Sequence, residues 1–208
     1  MISADEARRF YPASGDPAHD FDHVLRVASL AERIARAEGA DVEIVRAAAL
    51  LHDVARGDRS DRDHAEAAAD RARDILKAHP SERVEAVAQA ILQHRFRSGP
   101  PPRSLEARCL FDADKLDSIG AIGVARAFAY SGVIGQRLWD EIEPDYADRF
   151  ARGEARPGEH TSHHEFVVKL SRLRDRMTTP TGRAIADERH AVMVSFYDRL
   201  AREIRGEV

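Results

Sequence analysis

His52 and Asp53 follow directly on the apolar run Ala47-Ala48-Ala49-Leu50-Leu51, and this doublet limits what the chain can become more than any other feature. An ionisable pair placed straight after core-type residues is costly to desolvate unless something compensates it. A divalent metal ion compensates it well. Residues of the same chemistry stand elsewhere: His23 upstream, and Asp114 within Asp112-Ala113-Asp114-Lys115-Leu116-Asp117. Two imidazoles and two carboxylates from three segments can make a mixed nitrogen and oxygen site. Such a site suits Zn, Mn, Fe, Ni or Mg.

Composition narrows the setting. The chain has 208 residues, enough for a substantial core, and its net charge of -4 is spread without a strong block. No concentrated basic surface points to a nucleic-acid polymer as partner. Cys109 is the single cysteine, which excludes an intrachain disulfide framework and fits a reducing compartment. Residues 1–6 show no basic region followed by an apolar one, and no apolar stretch approaches membrane-spanning length. The expectation is a soluble, cytoplasmic protein, with its oligomeric state left open.

Richness in Ala, Arg, Glu and Leu favours helix nearly everywhere. A short helix over Ala4 to Phe10 is expected first. Asp16-Pro17 reads as a cap and first turn for a long helix ending at Gly39. Asp41 caps a helix that carries His52 and Asp53 at its C-terminal end. A helix follows from about Asp63 to Ala78, and His79-Pro80-Ser81 separates it from another running to about His94. Ser98-Gly99-Pro100-Pro101-Pro102 reads as a stiff loop, then Ser104 to Ser118 and a helix to Tyr130. Ser162-His163-His164-Glu165 has the form of a capping box opening a helix toward Met177, and Thr179-Pro180 opens the last helix. Together these predict one all-α domain over 1–208, a helical bundle with a metal-binding core at about 18–130 and C-terminal helices at about 135–206 packing on it.

On the second helix His19, His23, Val27, Leu30 and Ile34 share one stripe, so His23 points where core residues point. His94 continues the stripe Val87-Ile91 in the same way. A single such histidine is most simply a buried side chain with a hydrogen bond, but repetition favours a site. Asp53 at a helix C-terminus opposes the macrodipole unless a cation is near. Asp114 lies on the face of Leu110 and Asp117, whereas Asp112 points to another side. Asp117 is expected to support or cap. His163 and His164 are expected in an exposed first turn, and His79, His160 and His190 carry less weight. Among Phe128, Tyr130, Trp139, Tyr146 and Phe150, most read as core, with one or two able to stack on a nucleobase.

Three blocks, Asp20-Phe21-Asp22-His23-Val24-Leu25-Arg26-Val27, Leu50-Leu51-His52-Asp53-Val54 and Asp112 to Ala121, together resemble the HD superfamily of metal-dependent phosphohydrolases, most closely its small stand-alone bacterial members. The resemblance implies a helical bundle holding one or two divalent ions, with His23, His52, Asp53 and Asp114 as ligands of the first. In two-metal members the aspartate of the doublet bridges, and two further histidines hold the second ion. By order those are His64 and His94, His94 fitting better because His64 starts a helix on a mixed face. Some members place a glutamate three positions after the doublet; this chain has Arg56 there, which points to a phosphate contact in place of a general acid.

The implied chemistry is hydrolysis of a phosphate ester, in a nucleotide or another small phosphorylated metabolite, by a metal-activated water. Asp53 holds the ion and orients that water, while Lys115, Arg56 and Arg26 are candidates to neutralise the phosphate. Two other readings stay open. One is a di-iron oxygenase on the same fold, which purifies with iron and needs oxygen. The other is a regulatory module in which the metal is structural or absent.

Overall fold

A computed structural model describes residues 1–11, 20–56, 63–95 and 101–208. Those residues form ten α-helices and no strand, the all-α class that the composition predicts. They fall into two compact units. The first takes the described residues up to Lys115 together with Met177–Gly182, and the second takes Leu116–Arg176 with Arg183–Val208.

The first unit is built around one helix. α3 (Val42–Leu51) buries Ile44, Val45, Ala47, Ala48, Ala49, Leu50 and Leu51 and leaves only Glu43 and Arg46 exposed. A helix apolar over most of its circumference belongs mainly inside a protein. α1 (Ala4–Arg8), α2 (Phe21–Glu38), α4 (His64–Leu76) and α5 (Ser81–Leu92) supply the walls, and α4 also packs on α5. α2 contributes the stripe His23, Val24, Val27, Ala28, Ala31, Ile34 and Ala35. Each large aliphatic side chain removed from water here stabilises the fold by roughly 1.5–3 kcal/mol. α6 (Leu105–Leu116) closes this unit's chain with Ala107, Cys109, Leu110, Phe111 and Ala113 buried.

Caps set most of these boundaries. Ser3 and Glu6 form a capping box on α1, and the Asp41 carboxylate accepts from the Glu43 and Ile44 amides at the start of α3. α2 stops at Gly39, whose φ of 80° no side-chain-bearing residue adopts readily. Its start differs from expectation. The helix opens at Asp20, whose side chain accepts from the His23 amide at 3.0 Å. Asp16-Pro17 and His19 lie outside the described residues, as do 57–62 and 96–100, the latter including most of the expected stiff loop.

The second unit holds α7 (Gly120–Val133), α8 (Tyr146–Ala151), α9 (Ser162–Val168) and most of α10 (Pro180–Ile204). Gly120 enters α7 at φ 79° with the Arg189 side chain against it, so the glycine there is a geometric requirement. The expected capping box at Ser162 is displaced by one residue. Thr161 is the cap, extended and accepting from the His164 amide at 3.4 Å, while Ser162 is already helical. α9 also ends at Val168 and gives way to two 3-10 turns at Leu170–Arg172 and Arg174–Arg176. The Ser171 hydroxyl bonds to the Val167 carbonyl where the backbone leaves the helix. Among the described residues no helix is long and apolar enough to cross a membrane.

Candidate metal centre

α3 delivers the doublet. His52 is its C-cap and Asp53 follows in the turn, and both are buried. The Tyr11 hydroxyl donates to the Leu50 carbonyl at 2.9 Å, tying down the end of the helix. His52 Nδ1 donates to the Ala49 carbonyl at 2.8 Å, and His94 Nδ1 to the Ile91 carbonyl at 2.6 Å. A carbonyl only accepts, so in both rings Nδ1 carries the proton and Nε2 presents a lone pair.

Two donor groups result. One atom each from His23, His52 and Asp114 lie within 4.8 Å of one another, and so do one each from Asp53, His64 and His94. The groups interlock through Asp53. Its Oδ2 is 4.0 Å from His23 Nε2 and 3.7 Å from His52 Nε2, while Asp114 Oδ1 is 3.5 Å and 4.0 Å from the same two nitrogens. The rings of His23, His52, His94 and His64 form a chain with centroids 5.3 to 5.8 Å apart. His64 is thus brought to His94 despite its place at a helix start. Its cap, Asp63, accepts from the Ala65 amide and pairs with Arg95, the residue after His94.

The electrostatics suit a cation. Burial opposes ionisation of Asp53, but His52, Arg56 and His94 outweigh it and hold the carboxyl well below the usual range. Asp114 behaves alike: burial opposes its charge, and Lys115, His52 and His23 prevail. His94, fully enclosed, is pushed down to about 4 by burial and then by the neighbouring His52. It is a neutral imidazole at ordinary pH. His52 Nε2 and Asp53 Oδ1 are buried and make no hydrogen bond within the protein. A lone pair and a carboxylate oxygen left so in a dry interior are costly, and a divalent ion between them satisfies both. The donor set, imidazole nitrogen with carboxylate oxygen, fits such an ion.

The two cations divide their work. Lys115 is nearly buried, its Nζ 2.6 Å from Asp114 Oδ2 and over the Phe111 ring. It occupies the oxygen that faces away from the histidines and leaves Oδ1 toward them. Arg56 reaches Asp53 Oδ2 at 3.1 Å but is exposed. Asp117 is buried and held by Arg126 at 2.7 Å.

The structure corrects one group of histidines. His164 is buried against Tyr146, with ring centroids 4.2 Å apart, and bonds to the Thr161 hydroxyl. His163 stacks on Trp139 at 3.8 Å, and His160 meets the Tyr146 hydroxyl at 2.6 Å. An aromatic shelf of this kind follows from tertiary packing, and the capping motif gave no sign of it. Tyr11 and the Asp63–Arg95 pair also escaped sequence reasoning. Tyr11 carries no local signal because its partner is 39 residues away. Asp63 and Arg95, each beside a candidate histidine with opposite charges, were a readable hint.

Comparison with known proteins defines the class. The family model of the HD domain matches residues 20–119, the stretch that carries every residue of both donor groups. The chain belongs to the HD superfamily. It is 34% identical over 194 residues to the uncharacterized protein YpgQ of Bacillus subtilis, covering 90% of this chain and 85% of that protein. The crystal structure of YpgQ in complex with ADP superposes with a TM-score of 0.76 at 31% identity, over 99% of this chain and all of that one. An HD-superfamily hydrolase from Bacillus thuringiensis gives 0.73 at 30% identity, over 97% of this chain and 96% of that one.

Proposed function

We propose that the protein is a metal-dependent phosphohydrolase, a single HD-type domain that cleaves a phosphate ester of a nucleotide or another small phosphorylated metabolite. The observation that carries this reading is the pair of interlocked donor groups with His52 Nε2 and Asp53 Oδ1 buried and unsatisfied between them. His23, His52, Asp53 and Asp114 would hold one divalent ion (Mn, Mg, Fe, Ni or Zn), and His64 and His94 with Asp53 a second. A bound ion supplies a water acidified toward neutrality and a Lewis acid for a phosphoryl oxygen.

The chain's own groups do the rest. Asp53 stays ionised down to low pH and can orient that water through hydrogen bonding. Arg56, exposed beside Asp53, is placed to neutralise a phosphate arriving from solvent. Lys115 is committed to Asp114 and acts first on that ligand, so its call on the phosphate is the weaker. ADP in the YpgQ crystal structure and the hydrolase named among the similar structures support a nucleotide-like substrate.

The test is Asp53→Ala, with metal content measured by elemental analysis and phosphate release assayed over a panel of nucleotides with Mn or Mg restored. Loss of both metal and turnover, by at least about a thousandfold in rate, is expected. Full activity in that variant would sink the scheme. Wild-type protein that purifies with iron and acts only with oxygen would replace hydrolysis by oxidative chemistry.

A further inference from the structure

Asp112, in the first unit, carries a carboxylate with four hydrogen bonds that the proposed chemistry does not use. It is fully buried. Its Oδ1 accepts from the Thr178 amide at 2.8 Å and the Thr178 hydroxyl at 2.9 Å. Its Oδ2 accepts from the Thr179 amide at 2.8 Å and the Thr179 hydroxyl at 2.6 Å. Thr179 Oγ1 in turn accepts from the Gly182 amide at 2.9 Å, so the carboxylate rests on the capped N-terminus of α10, where the helix dipole favours negative charge. Gly182 leaves no slack. A Cβ added there would stand 2.3 Å from Asp112 Oδ2.

Asp114 is two residues further along the same helix. Side chains two apart on a helix point about 200° apart, so the Thr178–Thr179–Gly182 cradle grips α6 on the side away from the histidines. An α-helix gripped at one side chain has its rotation about its own axis fixed, and with it the aim of every other side chain on that turn. We infer that Asp112 is a positioning residue: through this cradle it sets the azimuth of α6 and so the aim of Asp114 Oδ1 at His23 and His52. The inference rests on the metal-centre reading above.

The mildest probe is Thr178, because its amide still anchors Asp112 when the hydroxyl is lost. Mn2+ is titrated calorimetrically into metal-stripped full-length protein for wild type, T178V, T178S, D112N and G182A. The thermal midpoint without metal is measured on the same samples. T178S keeps the hydroxyl and should bind as wild type does. T178V should bind Mn2+ several-fold more weakly, and D112N and G182A by about 10–100-fold, the usual cost of losing a ligand's supporting contact. If D112N or G182A fails to fold, the T178V and T178S pair decides. Wild-type affinity in T178V and in every other folded variant, with only the thermal midpoint lowered, would make the cradle a purely structural device and overturn the inference. Wild-type protein that binds no Mn2+ overturns the metal centre itself. Wild-type protein that binds Mn2+ but releases no phosphate overturns the proposed reaction and leaves the positioning role standing.

Discussion

His94 shows what a single residue adds to this fold. Its imidazole is enclosed and its pKa is pushed down to about 4, so the folded chain refuses a proton that the unfolded chain accepts near pH 6.5. His64 is shifted in the same direction, first by burial and then by Arg95. The sign follows. Above about pH 6.5 neither state holds the proton and the group is neutral to stability; as pH drops toward 4 the unfolded state alone binds it, and stability falls. The metal-free protein should therefore melt at a lower temperature at pH 5 than at pH 7, and His94→Gln should flatten that slope. Equal slopes in the two proteins would count against the buried neutral ring. The residue types of the site were legible: a histidine ending an apolar stripe and a carboxylate after one are visible in any sequence. Hidden were the tautomers, because the carbonyls of Ala49 and Ile91 that fix them exist as acceptors only once the helices end where they do.

Elements explain why the site is assembled at all. α3 leaves only Glu43 and Arg46 exposed, so the rest of it has to be surrounded, and its C-terminal end delivers His52 and Asp53 inward. Its other end is held by Asp41, which caps two amides and also binds Arg83 of α5 through both carboxylate oxygens. Asp41→Ala should cost roughly 1–2 kcal/mol in urea unfolding, mainly the lost cap, with the metal stoichiometry unchanged. A variant as stable as wild type would show the cap to be dispensable. Helix ends were read with uneven success for a local reason. Gly39 acts through its own backbone and Asp41 through amides two and three residues on, whereas Ser162 lost the cap to Thr161, whose hydroxyl gains a second partner in His164. α8 lay in a stretch of mixed charge and aromatics with no periodic stripe, and it forms around buried Tyr146 and Arg149, the latter held by Glu143, Asp145 and Glu159.

For the molecule as a whole, four histidines and two aspartates held close together carry a cost that a bound ion should repay. Saturating Mn2+ should raise the thermal midpoint over metal-stripped protein, by about 2.7 kcal/mol of stabilisation when free metal is 100 times its dissociation constant. An unchanged midpoint in differential scanning calorimetry would mean that the donor groups do not bind the ion in the folded state. The amino-acid sequence by itself determined the all-α class and the largely buried character of α3, and it singled out His23, His52, Asp53 and Asp114 as candidates, because periodicity and apolar runs are local properties. Only the tertiary structure decided that His64 reaches His94, that Asp53 stands against both donor groups, that Lys115 serves Asp114 and that Asp112 is gripped from across the chain. The last of these depends on side chains 67 residues apart meeting at hydrogen-bond distance, and no periodicity along a single chain encodes such a meeting.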